Sequence, residues 1–264
     1  GKLFRQTIDC HVIALDMKTG KQLWIQKFAD FKEGYTGVIA PVVVNGVVIT
    51  GMAGGDRTTR GFLDGWDPET GKKLWRRYLT PGPGEKGHET WPQNSDAYKR
   101  GGATAWGVPS YDPELDLTYW GTGNGGPWPE PLRSTKGLDN LYVCSIIALR
   151  PDTGELKWYY QAVPGDSWDY DSVQQLTLAD ISIGGRPRKV IMQANKNGFF
   201  YVLDRANGEL LAAKNYTYVN WASGVDLKSG RPVVTRQADW HEKPSNIYPS
   251  WAGGHTWMPM SWNP

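Results

Sequence analysis

Ala14-Leu-Asp-Met-Lys-Thr-Gly20-Lys-Gln-Leu-Trp24 returns along the chain as Gly65-Trp-Asp-Pro-Glu-Thr-Gly71-Lys-Lys-Leu-Trp75 and again as Ala148-Leu-Arg-Pro-Asp-Thr-Gly154-Glu-Leu-Lys-Trp158, with a weaker copy at Val202-Leu-Asp-Arg-Ala-Asn-Gly208-Glu-Leu-Leu. In each copy an apolar strand end meets a polar turn closed by Thr-Gly or Asn-Gly, where glycine supplies a positive φ, and a new strand follows. Each copy reads as a hairpin. Val42-Val-Val-Asn-Gly-Val-Val-Ile49 and Ile181-Ser-Ile-Gly-Gly-Arg-Pro-Arg-Lys-Val-Ile191 carry the same kind of signal. Tyr111-Asp-Pro-Glu-Leu-Asp-Leu-Thr-Tyr-Trp120 alternates after a turn, which puts Leu115, Leu117 and Tyr119 on one face. Units of ~40–50 residues, each of several strands with tryptophan at a fixed place, predict an all-β chain folded as a β-propeller with four-stranded blades. About four such units fit, roughly half of a large ring, rather than a β-sandwich whose turns are alike by chance.

The composition agrees. Among 264 residues there are 32 glycines, 18 prolines and 14 tryptophans, a turn density that long helices do not tolerate. With 29 basic and 27 acidic side chains the formal charge is only +2, and the basic residues are spread thinly, which excludes a nucleic-acid platform. A mean hydropathy of −0.52 and the lack of a long apolar run exclude a bilayer-spanning helix. The two cysteines, Cys10 and Cys144, are expected to be free buried thiols. Residues 1–264 begin without methionine and stop at Pro264, so they are expected to form one partial propeller domain, a fragment lacking N- and C-terminal parts and leaving strand edges open.

Several residues could carry chemistry. In Trp168-Asp169-Tyr170-Asp171 an extended backbone would send Asp169 and Asp171 from the same face. Two such carboxylates repel unless a cation lies between them, and a hard cation such as Ca²⁺ or a trivalent ion prefers oxygen ligands. A carboxylate beside such an ion can act as general base; the alternative is a solvated turn. Gly121-Thr-Gly-Asn-Gly-Gly126 is no dinucleotide fingerprint, because Pro127, Pro129 and Pro131 forbid the helix that should follow. Its Asn124 is either a metal ligand or a turn former. Asp56, after Gly51-Met-Ala-Gly-Gly, is a ligand, a cap or simply exposed. Lys196 in Asn195-Lys-Asn-Gly198 is either a solvated turn lysine or a cation aimed at an anionic ligand or quinone oxygen. Trp106, behind a glycine pair, could stack on a flat ligand. His11, His88, His241 and His255 have no metal-ligand spacing and read as structural.

Taken together, these segments resemble the quinoprotein alcohol and methanol dehydrogenases, eight-bladed propellers that use pyrroloquinoline quinone (PQQ) and a metal ion. The likeness is carried by Arg60-Gly-Phe62, Trp106, Gly121-Thr-Gly-Asn124, Asp139-Asn140, the turn at 148–154, Pro164-Gly-Asp-Ser-Trp-Asp169, Lys196-Asn-Gly-Phe-Phe-Tyr-Val-Leu-Asp-Arg205 and Asn220-Trp-Ala-Ser-Gly224. It implies that Asp169 is the catalytic base, that Asp56, Asn124, Asp169 and Asp171 surround the metal, and that Lys196 hydrogen-bonds the quinone oxygens. Trp106 would be the floor under the cofactor ring, Thr104 its neighbour, and Thr256 would stand where the family has a cofactor-binding asparagine. A second aspartate two residues after the base marks the lanthanide-using members, so a lanthanide ion is favoured over Ca²⁺. This sequence departs from the family at Asp56, where a glutamate is usual, and at Val38 and Ala53, where hydroxyl residues are usual. The family's adjacent-cysteine pair would lie outside the chain. The resemblance further implies oxidation of a small primary alcohol to an aldehyde, a cytochrome c as electron acceptor, a periplasmic location, and a homodimer as an open option. Two other readings stand beside it: a non-catalytic propeller scaffold or assembly protein, and a quinoprotein sugar dehydrogenase.

Overall fold

The repeated turn closes on its own aspartate. Asp16 Oδ1 accepts from the backbone N–H groups of Lys18 and Thr19, at 3.0 and 2.8 Å, and from the Thr19 hydroxyl at 2.9 Å. Asp67 does the same with Glu69 and Thr70. The closing glycines Gly20, Gly71, Gly154 and Gly208 have φ between 68° and 79°, the left-handed region they alone enter without strain. In the computed structural model, which describes residues 1–134 and 137–263, these turns join the last two strands of successive antiparallel sheets. Thr135, Lys136 and Pro264 lie outside the described residues.

The first sheet has three strands, β1 (Lys2–Gln6), β2 (His11–Asp16) and β3 (Gln22–Lys27). The second is a four-stranded meander of β4 (Val42–Val44), β5 (Val47–Thr50), β6 (Phe62–Trp66) and β7 (Lys73–Tyr78). The third repeats it with β8 (Ser110–Asp112), β9 (Leu117–Gly121), β10 (Ser145–Leu149) and β11 (Leu156–Gln161). The fourth uses β12 (Thr177–Ile183), β13 (Arg186–Ala194), β14 (Phe199–Asp204) and β15 (Leu210–Asn215), and a hairpin of β16 (Ala222–Val225) and β17 (Pro232–Val234) follows. Both hairpins expected at 42–49 and 181–191 form, as β4–β5 and β12–β13.

Tryptophan recurs because it docks one sheet on the next. The Trp24 ring lies over Gly71, where an added Cβ would come within 2.7 Å of it, and its Nε1 donates to the Pro68 carbonyl at 3.1 Å. Trp75 stands in the same way on Gly154 and the Pro151 carbonyl, and Trp158 on Gly208 and the Arg205 carbonyl. Across its own sheet each of these tryptophans pairs with a small residue, Ala14, Gly65 or Ala148, and a bulge follows at once. The weak fourth copy carries the exchange the other way, Val202 opposite Ala212. A fifth turn, Asp226–Gly230, escapes the sequence comparison because no Leu-Trp follows it. Tyr160 docks on this one, its ring against Gly230 and its hydroxyl donating to the Gly230 carbonyl at 2.9 Å. The sheets therefore follow one another around a propeller in chain order.

One detail differs from the sequence reading. Leu115 lies in the turn before β9, not on its strand, and all of β9 is buried because sheets and loops cover both its faces. The thiols behave as expected: Cys10 and Cys144 are both free and buried. Burial pushes Cys10 up to about 11 and holds Cys144 well above the usual thiol range. Neither thiol should be alkylated by iodoacetamide at pH 8 in the native protein, and both should react in denaturant. Peptide mass spectrometry checks this, and native labelling of Cys10 would mean that the first sheet opens.

Candidate functional site

Glycine lets the loops at the strand ends interlock. Beyond β9, Gly121 abuts the backbone of residues 172–173, where an added Cβ would stand 1.9 Å from the Ser172 carbonyl oxygen. Gly123 leaves the room that Asp171 takes, since a Cβ there would be 2.7 Å from Asp171 Oδ1. Backbone bonds fasten the contact: Gly123 N–H donates to the Thr104 carbonyl, Ala103 N–H to the Asn124 carbonyl and Ser172 N–H to the Thr122 carbonyl, each at 2.9 Å. Thr104, Asn124 and Asp171 are thus held together from three separate loops.

The side chains complete a continuous network. Asp171 Oδ1 accepts from the Asn124 backbone N–H at 2.9 Å and faces the Trp106 indole N–H at 3.4 Å. Asn124 Nδ2 donates to Asp56 Oδ1 at 3.0 Å. Lys196 Nζ donates to Asp169 Oδ2 and to Asp171 Oδ2, at 2.8 Å each. Exposure is 3% for Asn124 and Asp171 and 7% for Asp169 and Lys196, so water does little to screen these charges.

One part of the sequence reading needs correcting, and one alternative it left open is decided. Asp169 and Asp171 converge, but not through an extended strand. Asp169 has a left-handed backbone, φ 63°, and Asp166 Oδ1 curls the loop by accepting the N–H groups of Trp168 and Tyr170 at 3.1 and 3.2 Å. Nor is Lys196 a solvated turn lysine. It sits in the turn between β13 and β14, and the segment around Gly253 covers it: Gly254 N–H donates to the Lys196 carbonyl, and a Cβ on Gly253 would fall 2.3 Å from Lys196 Cγ.

The electrostatics follow from burial. Desolvation, reinforced by the charge of Asp171 and opposed by Lys196, pushes the Asp169 carboxyl up to about 8. Burial alone would lower Lys196, but the charges of Asp171 and Asp169 outweigh it and raise the ammonium above its ordinary value. Once Asp169 is ionised, three carboxylates and one ammonium leave an excess of negative charge. Asn124 Oδ1 accepts no protein hydrogen bond among the described residues, so it remains available to a ligand. All donors are hard oxygens, the set that suits Ca²⁺ or a lanthanide ion. No three histidine, cysteine or acidic side chains among the described residues form a metal cluster by themselves.

The chain has close relatives. A profile of the PQQ family described as "Glucose/ethanol/alcohol dehydrogenase, beta-propeller domain" matches residues 26–221. The chain belongs to this family. All of it aligns with 39% of the length of quinohemoprotein alcohol dehydrogenase ADH IIB of Pseudomonas putida, at 48% identity. It is likewise 39% identical to the lanthanide-dependent methanol dehydrogenase of Methylacidiphilum fumariolicum, covering 46% of it. Among solved structures, the quinohemoprotein alcohol dehydrogenase of Comamonas testosteroni superimposes with a TM-score of 0.94 at 45% identity, over 100% of this chain and 41% of that one. A europium-containing methanol dehydrogenase does so with a TM-score of 0.91 at 39% identity, over 100% of this chain and 49% of that one. The chain thus spans less than half the length of the relatives it matches.

Within this PQQ-family propeller, seven of the eight residues singled out from the sequence gather in one place: Asp56, Thr104, Trp106, Asn124, Asp169, Asp171 and Lys196. Thr256 does not join them. Its hydroxyl lies 2.8 Å from Met258 Sδ in an exposed segment, although neighbouring His255 is held by the Ala194 carbonyl. Sequence reasoning missed Arg133, Asp166 and Trp128. Arg133 is buried, and its guanidinium donates to Asn140 Oδ1 and to the carbonyls of Trp128 and Asp166, at 3.1, 3.0 and 2.6 Å. It occupies the space that Gly125 leaves by lacking a Cβ. Amid so many prolines nothing in its spacing separates it from a surface arginine. Beside the cluster lies a cavity of about 380 Å³ walled by Trp128, Trp168, Tyr170, Trp240 and Trp251.

Proposed function

We propose that the chain carries the catalytic centre of a PQQ-dependent alcohol dehydrogenase, which oxidises a primary alcohol to the aldehyde. The observation that carries this reading is the single network joining the exposed Asp56 to the buried Asn124, Asp171, Lys196 and Asp169 beside the Trp106 indole. A propeller serving only as a scaffold would gain nothing from gathering these charges out of water, because burying them costs stability. PQQ, when bound, supplies the two-electron acceptor.

The chain's own residues do the rest. Asp169, held next to the Lys196 ammonium, takes the hydroxyl proton of the alcohol. Lys196 offers N–H donors to developing oxyanion charge. Trp106 is half-buried with its N–H turned to Asp171, which leaves indole surface for a flat ring to cover. Asp56, Asn124, Asp169 and Asp171 supply oxygen donors to the ion. Asp171 adds a carboxylate that a trivalent ion exploits better than a divalent one, which favours a lanthanide over Ca²⁺. A cytochrome c as electron acceptor and a periplasmic location complete the proposal by analogy with the family.

The test uses the full-length, cofactor-free protein, titrated with PQQ in the presence of La³⁺ or Ca²⁺ and followed by cofactor absorbance and alcohol-dependent dye reduction. Turnover should appear with La³⁺ and be lost in Asp171→Ala. Turnover with sugars alone would move the substrate class, and no PQQ binding under either ion would leave a scaffold.

A further inference from the structure

Asp56 is the most exposed member of the cluster. It lies in a one-turn 3-10 segment, Gly55–Arg57, between Gly54 at φ 120° and Thr58 at φ 60°, and its side chain is exposed. A short carboxylate on such a loop would sample several rotamers. Two donors restrict it, and both reach the same oxygen: Asn124 Nδ2 at 3.0 Å and the Trp128 indole Nε1 at 2.8 Å. Oδ2 has no protein hydrogen bond among the described residues.

The indole is itself fixed from below. Pro127 and Pro129 flank Trp128, and the Trp128 backbone carbonyl accepts from the buried Arg133, which also grips Asn140 and the carbonyl of Asp166 in the loop that leads to Asp169. An indole N–H can only donate, so it uses Asp56 Oδ1 purely as an acceptor. Bonds from an N–H to a carboxylate are among the strong ones.

We infer that Trp128 is a positioning residue for the cation site: its indole N–H pins Asp56 Oδ1 and leaves Oδ2 turned to the ion. The inference rests on the metal site proposed above. It gives the short aspartate a fixed orientation that its exposed loop does not provide. Loss of an outer partner that orients a metal ligand typically lowers affinity ~10–100-fold.

Cofactor-free, full-length protein titrated with Tb³⁺ and excited through its tryptophans reports ion binding by sensitised emission, with no need for turnover. Trp128→Phe, which keeps an aromatic ring and drops the N–H, should move the titration midpoint up at least ~10-fold. Trp128→His, which restores a ring N–H, should recover much of that loss. The midpoint, not the amplitude, is the readout, because removing an indole also dims the emission. Should Trp128→Phe lose its native near-ultraviolet circular dichroism, the isosteric benzothienylalanine at position 128 repeats the test without changing the shape of the ring. An unchanged midpoint in a folded variant lacking the N–H overturns the inference while the metal site stands. Tb³⁺ binding that is absent from the wild type, or unaffected by Asp171→Asn, overturns the metal site itself.

Discussion

Replacing Lys196 by methionine should destabilise the cofactor-free and ion-free protein by roughly 3–5 kcal/mol at neutral pH, the cost of leaving a buried charge without its partner. The ammonium stands 2.8 Å from both Asp169 Oδ2 and Asp171 Oδ2, and all three side chains are buried. Methionine keeps much of the length and apolar stem of lysine, so the change is electrostatic rather than a cavity. Without the ammonium the carboxylates repel more strongly, and the pair must keep its proton to higher pH or open to water. La³⁺ should then restore more stability to the variant than it adds to the wild type, because it supplies the positive charge that is missing. Urea unfolding with and without La³⁺ measures both effects. A variant within about 1 kcal/mol of the wild type would show that water screens the pair.

Asp169→Asn should lower alcohol-dependent dye reduction ~10²–10⁴-fold, the usual contribution of a general base, with the fold retained. The same substitution should change the pH dependence of stability. Burial and the charge of Asp171 push the Asp169 carboxyl up to about 8, against an unfolded value of ~3.9. A carboxyl raised in the folded state binds its proton more tightly there than in the unfolded chain. Its contribution to stability is full below pH ~4 and is lost as pH rises through about 8. Ion-free wild-type protein should therefore lose stability relative to Asp169→Asn across that window. La³⁺, which binds the ionised form, should reduce the loss. Equal pH profiles for the two proteins would place Asp169 in contact with water.

Reading the turns was enough to obtain the propeller, and the reason is local. The aspartate that collects two N–H groups, the glycine at positive φ and the tryptophan that follows all lie within one short stretch of sequence, although the tryptophan docks on the next sheet, so a local reading finds the signal. The fifth turn was lost because no Leu-Trp follows Gly230 and the aromatic that docks on it is a tyrosine, Tyr160. Likewise the residue types at the site were visible, since carboxylates, an amide and a lysine in glycine-rich loops are unusual company. Their convergence was not. It depends on Gly121 and Gly123 lacking Cβ atoms where residues 171–173 press in, and on Gly253 lacking one where the chain covers Lys196.

What the sequence by itself determined is the all-β architecture, its hairpins and, through resemblance, the family. The tertiary structure decided that Lys196 is a buried partner of two aspartates, that Asp169 reaches it from a left-handed backbone, and that Thr256 stays outside. It also brought in Arg133, Asp166 and Trp128. Turn chemistry and alternation are set by neighbours within a few residues, whereas burial, charge pairing and the direction of a side chain are set by residues far away in sequence, such as Trp128 and Asp56, 72 positions apart.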